Sequence, residues 1–265
     1  MSKPLINIIT RFSRDLSQLK VVVDSIREQS YKNVKHIICC ESKEKIKEAT
    51  ELDLLENTLF VLVNKVPIHK NLMMVYQHHD YYTDFLNFDW EKCKFGDKNI
   101  EQESWDVEAI KFEKNGGWCW TFGATGTVKC NHFPSNLHFN HAYSYIDEGW
   151  IYYIDDGDKF EDSEALADLV KEITSHDEDT LHVFKLMNRG RAATTPQRHI
   201  MKNYYKIGHP IILNECSGSC ICFHSKYKDK ILWDQWRMSD YRVIKQLEKL
   251  VKEINFIDRV ILHTP

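Results

Sequence analysis

LINIITRFSRDLSQLKVVVDSIREQSYKNVKHIICC, residues 5–40, is the stretch whose reading decides the fold class. Leu5-Ile6-Asn7-Ile8-Ile9-Thr10 reads as a buried strand. From Asp15 to Gln29, the apolar residues Leu16, Leu19, Val22, Val23 and Ile26 trace one face of a helix. Val34 to Cys40 is a second apolar strand, ending at Glu41-Ser42. Working outward, the charged segment from Lys43 to Leu55 has helix-spaced apolar positions, and Leu59 to Val63 reads as a third strand. This β-α-β-α-β order predicts an α/β chain whose parallel sheet is covered by helices. Ligands of such sheets bind beyond the carboxyl ends of the strands. Thr10, Arg11, Glu41 and Asn64 all stand at such ends.

From Lys65 the rhythm breaks. Residues 65–135 hold aromatic and histidine groups such as Tyr76-Gln77-His78-His79-Asp80-Tyr81-Tyr82, too aromatic for a disordered linker. They read as an ordered insertion carried by one main domain, 1–265. Regularity returns at Asn140, with a short helix expected from His141 to Glu148 and a strand over Ile151-Tyr152-Tyr153-Ile154. A helix is expected from Ser163 to Thr174, strands at Leu181–Met187, Ile211–Leu213 and Ser219–Phe223, and a long amphipathic helix from Ser239 to Ile254.

Composition narrows the function classes. The 265 residues carry 35 Lys and Arg against 39 Asp and Glu, a formal charge of -4. That balance argues against a dedicated nucleic-acid binder and against a polybasic membrane-surface protein. No stretch approaches the roughly 20 apolar residues that span a bilayer, and the first residues lack the pattern of a secretory leader. The expectation is a cytoplasmic protein whose eight cysteines are mostly reduced. Cys216, Cys220 and Cys222 lack the paired spacing of a structural zinc site, so buried thiols are the better account.

The chemistry is concentrated at 153–160, Tyr-Ile-Asp-Asp-Gly-Asp-Lys-Phe. Three carboxylates within four residues at a strand end repel one another unless a cation sits among them. A hard divalent cation relieves that repulsion, and Gly157 lets the backbone turn so that two carboxylates can face one site. A solvated acidic turn is the bland alternative.

With these residues in view, the chain resembles the glycosyltransferases of the GT-A fold, closest to the family 2-like enzymes. Ile-Ile-Thr-Arg-Phe-Ser-Arg at 8–14 is similar to their first strand and donor-binding turn. Ser25-Ile26-Arg27-Glu28-Gln29-Ser30-Tyr31-Lys32-Asn33 is similar to their S-I-x-x-Q-x-Y-x-N stretch, and 149–158 to the strand leading into their DxD motif. The resemblance implies a Rossmann-like, mostly parallel sheet, a nucleotide-sugar donor (a UDP-sugar favoured), and a carbohydrate or glycan acceptor. It implies Mn²⁺ (or Mg²⁺) bridging the donor diphosphate to Asp156 and Asp158, with His263 as a further metal ligand and Asp155 as an adjacent helper. It places Thr10, Arg11, Glu41, Asn64, Asp155 and Asp156 on the donor, and Ser217, Gly218 and Ser219 in a loop near donor sugar and acceptor. Asp240, where the family has an x-E-D segment, is the expected base, with Ser239 replacing the acidic middle residue. Two other readings stand beside transfer with inversion. One is a nucleotidyltransferase, which usually brings a glycine-rich loop that residues 10–15 lack; the other is a carbohydrate-binding scaffold on a degenerate transferase domain.

Overall fold

The computed structural model describes residues 3–63, 134–188, 200–201, 216–233 and 239–264. Asn64, most of the 65–135 segment and the expected Ile211–Leu213 strand lie outside them. The sequence opens with the anticipated alternation: β1 (Ile6–Phe12), α1 (Leu16–Arg27), β2 (Val34–Cys40), α2 (Lys43–Ala49) and β3 (Thr58–Leu62). After the 3₁₀ turn Pro134–Leu137 come α3 (His138–Ala142), a second 3₁₀ turn Tyr143–Tyr145, β4 (Trp150–Tyr153) and β5 (Lys159–Phe160). Then follow α4 (Ala165–Ser175), β6 (Thr180–Asn188), β7 (Ile200–Met201), β8 (Ile221–His224), α5 (Ser239–Leu250) and β9 (Glu253–Thr264). The strands form one sheet in the order β3-β2-β1-β4-β8-β6-β9-β5, with β7 on β6. β1 to β4 run parallel, β8 runs against both neighbours, and β6 and β9 return to parallel pairing.

α1 holds because its apolar stripe serves two cores at once. Val22 and Ile26 join the main core with Ile6, Ile8 and Tyr152, while Leu19 and Val23 pack with Phe12, Ile38 and Ala49 under α2. Polar residues of the 25–33 stretch tie this unit to distant backbone. The Ser25 hydroxyl accepts the Phe160 N–H at 2.6 Å. Buried Gln29 accepts the Leu166 N–H at 2.9 Å and donates to the Asp162 carbonyl at 2.7 Å. The first bond satisfies one of the orphan donors that open α4. Tyr31 and Asn33 donate to the carbonyls of Pro4 and Lys3. Ser25, Gln29, Tyr31 and Asn33 are therefore joints of the fold, and none of the four lines the cavity described below.

Several boundaries differ from expectation. The 43–55 helix ends at Ala49. The helix expected at His141–Glu148 begins at His138 and gives way to a 3₁₀ turn at Tyr143. The helix from Ser239 stops at Leu250, and 253–264 form a twelve-residue strand beside β6. Ser219 and Cys220 lie in a 3₁₀ turn ahead of β8. Among the described residues no helix is long and apolar enough to cross a membrane.

Candidate functional site

The carboxyl ends of β1 and β4 lie side by side, and the 217–219 loop and the start of α5 close over them. Between them is a cavity of about 190 Å³, lined by residues that include Arg11, Asp155, Tyr153, Gly218, Trp233 and Asp240. At about 30 Å³ of liquid per water, it has room for roughly six waters.

Its charged wall is built from β1 and the turn after β4. Arg11 donates through Nε (3.0 Å) and Nη2 (2.7 Å) to Asp155 Oδ1, and through Nη1 to Asn136 Oδ1 at 2.6 Å. Its guanidinium carbon sits 4.9 Å from the Phe139 ring centroid, a cation–π placement. Asp155, Asn136 and Phe139 thus help to aim this cation. On the facing side Asp240 is held by the backbone N–H groups of Gly218 and Tyr241, the latter at 2.9 Å. Burial pushes its carboxyl above the usual range, opposed by those N–H groups; Asp155 raises it further and Arg11 lowers it.

The floor is aromatic. Ring centroids of Phe139 lie 4.7 Å from Tyr153 and 4.5 Å from Trp233, and those of Tyr153 and Trp233 are 5.0 Å apart. A side chain at Gly218 would put its Cβ 2.7 Å from the Trp233 ring, so the loop can approach the indole only with glycine there.

The acidic turn does not divide its duties as expected. Asp155, read as the helper, is the member that lines the cavity. Asp156 is buried, and its Oδ2 accepts the N–H groups of Ser13 (3.0 Å) and Arg14 (2.6 Å) and the Ser13 hydroxyl (3.3 Å). It ties the loop ahead of α1 to the end of β4. Asp158 is buried beneath the turn, where its Oδ2 accepts the Asp155 N–H at 3.3 Å. Burial, reinforced by Asp155, raises its pKa well above the carboxylate range and favours the neutral acid. His263 lies in β9 opposite Lys159, and its Nε2 meets Glu161. Among the described residues no group of three or more His, Cys, Asp and Glu side chains is arranged to hold a metal ion. Asp158 adjoins Lys159, whose strand partner is His263, so these two expected ligands lie close in the fold; in this arrangement Asp156 Oδ2 is taken by backbone N–H groups and His263 Nε2 by Glu161.

Of the other expected residues, Ser217, Gly218, Ser219 and Asp240 line the cavity with Arg11 and Asp155. Thr10 is fully buried, and its hydroxyl shares a 2.9 Å hydrogen bond with His36 Nε2 between β1 and β2, outside the cavity lining. Glu41 is exposed at the end of β2, outside the cavity lining. Cys216, Cys220 and Cys222 are buried free thiols. Asn136, Phe139, Tyr153, Trp233 and Ser239 line the cavity without having been anticipated there. Tyr153 was legible only as a strand residue, and Asn136 and Trp233 sit in no periodic pattern.

The parallel β3-β2-β1-β4 half-sheet, the acidic turn after β4 and the strands that follow define a GT-A-type glycosyltransferase fold. Solved structures with this fold include S. aureus TarS, at 10% identity and TM-score 0.58, covering 98% of this chain. TarS 1–349 in complex with UDP-GlcNAc aligns at 11% identity and TM-score 0.55, again over 98% of this chain. The chain spans 36% of the first of these structures and 58% of the second. A mannosyltransferase from Pyrobaculum calidifontis, solved with GDP-Man and Mn²⁺, aligns at 11% identity and TM-score 0.49 over 98% of this chain and 56% of its own. No protein-family model matches the sequence, and no curated protein matches it significantly.

Proposed function

We propose that this chain is a glycosyltransferase that moves a sugar from a nucleotide-sugar donor, a UDP-sugar by preference, to a hydroxyl of a carbohydrate or glycan acceptor. The observation that carries the reading is the cavity at the carboxyl ends of β1 and β4, with a fixed cation, Arg11, facing a carboxylate, Asp240. The GT-A fold, and a fold neighbour solved with UDP-GlcNAc, support the substrate class.

In this reading Arg11 faces the donor diphosphate and stabilises the charge that grows on it as the anomeric C–O bond breaks. Asp240 takes the proton of the acceptor hydroxyl as its oxygen bonds to the anomeric carbon from the opposite face, which inverts the centre. The Gly218 and Tyr241 N–H groups hold the carboxylate in place for that transfer. A divalent cation, Mn²⁺ or Mg²⁺, belongs to this proposal: Asp156, Asp158 and His263 would hold it, and it would supply Lewis-acid stabilisation of the leaving diphosphate. The continuous sheet supports a single domain, and the buried free thiols support a reducing, cytoplasmic setting.

A transfer assay with a panel of UDP- and GDP-sugars tests the proposal. Asp240→Asn is expected to retain nucleotide binding and lose transfer. The wild-type rate is expected to fall as pH drops through the raised pKa of Asp240, since only the ionised form accepts a proton. Transfer by Asp240→Asn at the wild-type rate would remove the base, and absence of binding across the panel would remove the reading.

A further inference from the structure

Three polar groups meet at the cavity floor: the hydroxyls of Tyr143 and Tyr153, which contact each other, and the Trp233 indole N–H. Trp233 Nε1 lies 2.9 Å from the Tyr143 oxygen and 3.2 Å from the Tyr153 oxygen. The indole is packed against the Phe139 and Tyr153 rings, and the main chain that carries it is tied down. Its backbone N–H donates to Asn140 Oδ1 at 2.9 Å, and its carbonyl accepts from Asn140 Nδ2 at 2.8 Å.

Counting protons exposes a surplus. The trio holds three donors, two O–H and one N–H, and the acceptors are the two hydroxyl oxygens. The N–H is shared between both oxygens, and one hydroxyl donates to the other. The remaining O–H has no acceptor among the described residues. A buried donor left unpaired is costly, and both tyrosines are buried, Tyr153 to 1% exposure. Of the two, only Tyr153 lines the cavity. When Tyr143 donates to Tyr153, the surplus proton lies on Tyr153 and can be given to an oxygen bound in the cavity. Water can take that place until a ligand oxygen displaces it.

From this geometry we infer that Tyr153 is a specificity-determining residue that donates its phenolic proton to an oxygen of the sugar carried by the donor. The inference rests on the proposed glycosyltransferase reading. The sugar is its occupant because the cavity lies beside Arg11, the cation assigned to the diphosphate, so the group that follows the diphosphate enters it.

The test compares dissociation constants of a nucleotide sugar and its matching nucleoside diphosphate, by calorimetry, on wild type, Tyr153→Phe and Tyr143→Phe. UDP-GlcNAc with UDP is the first probe pair and GDP-mannose with GDP the second. Tyr153→Phe is expected to weaken the nucleotide sugar about five-fold, the worth of one hydrogen bond, and to leave the diphosphate unchanged. Tyr143→Phe keeps the Tyr153 proton, so its sugar-to-diphosphate ratio is expected to stay at the wild-type value. An equal loss for both ligands, no loss, an equal loss in both variants, or an effect confined to the acceptor KM would each overturn the assignment. Should Tyr153→Phe fail to fold, single-deoxy analogues of the bound nucleotide sugar on wild type give the same decision. One position must lose affinity, and uniform binding across the series overturns the inference. A wild type that binds no diphosphate and no nucleotide sugar defeats the glycosyltransferase reading itself, and with it this contact.

Discussion

Asp155 and Asp156 are neighbours in sequence with opposite duties. Asp155 is 35% exposed and engages Arg11 in the cavity wall, whereas Asp156 is 4% exposed and binds two backbone N–H groups. The Arg11–Asp155 pair is partly open to water, where ion pairs contribute little to stability, while charge-assisted bonds inside the fold contribute more. Asp156→Asn is therefore expected to cost about 1–2 kcal/mol, and Asp155→Asn to leave stability near wild type. Thermal denaturation separates them, at about 2–4 °C per kcal/mol for a chain of this size. Equal midpoints would mean that Asp156 does not hold the loop ahead of α1. The same assignments bear on metal. With Asp158 beside Lys159 and Lys159 paired with His263, Mn²⁺ is expected to raise the melting temperature of wild type and not of Asp158→Asn. Chelator is expected to weaken nucleotide-sugar binding. Absence of any metal-dependent shift would remove the metal from the proposal.

At the scale of elements, two glycines with positive φ bracket β4 and its acidic turn, and the structure ranks them. Gly149 (φ +89°) begins the approach to β4, and an added Cβ would lie 2.5 Å from the Leu5 carbonyl oxygen and 2.9 Å from its Cβ. That backbone is fixed, because the Leu5 carbonyl accepts the Trp150 N–H and the Gly149 carbonyl accepts the Ser225 N–H, both at 2.8 Å. Gly157 (φ +94°) would meet the tip of Gln18, a flexible side chain, at 2.3 Å. Both alanine variants carry the strain of an L-residue in this region, about 1–3 kcal/mol. Gly149→Ala adds a collision that only a strand shift relieves, so it should show the lower urea midpoint; the reverse order would contradict this account. Elements whose apolar pattern is local were legible in sequence, and Val34–Cys40 was read to the residue. β9 was not. Its run of Glu253, Asn255, Asp258 and Arg259 among apolar residues follows neither period, and its register against β6 shifts between Phe184 and Leu186. The site was legible where chemistry follows strand ends, as for Arg11 and Asp155. Tyr153 and Trp233 escaped because their role comes from an encounter across 80 residues of sequence.

At the scale of the whole molecule, three histidines among the described residues, each from a separate element, are buried as neutral rings and contribute to the response to acid. His36 in β2 and His182 in β6 are each lowered to about 3 by burial. His138 in α3 is lowered to about 4 by burial, helped by Arg11. A group whose pKa is depressed in the folded state contributes stability above its unfolded value, near 6.5, and loses it as pH falls toward the folded value. At pH 5 each ring has been moved about 1.5 units past its unfolded pKa, a loss of about 2 kcal/mol apiece. Asp158 and Asp240 titrate in the opposite sense: their pKa values are raised on folding, so their contribution is recovered as pH falls. The histidine share is isolated by substitution. Comparing melting temperatures at pH 7 and pH 5, His36→Gln and His182→Gln are each expected to shrink the acid-induced drop by several degrees relative to wild type. The carboxylates are common to all three proteins and cancel in that difference. A drop of the same size in both variants would mean that these rings gain protons without opening the sheet, and that the acid response originates in other groups.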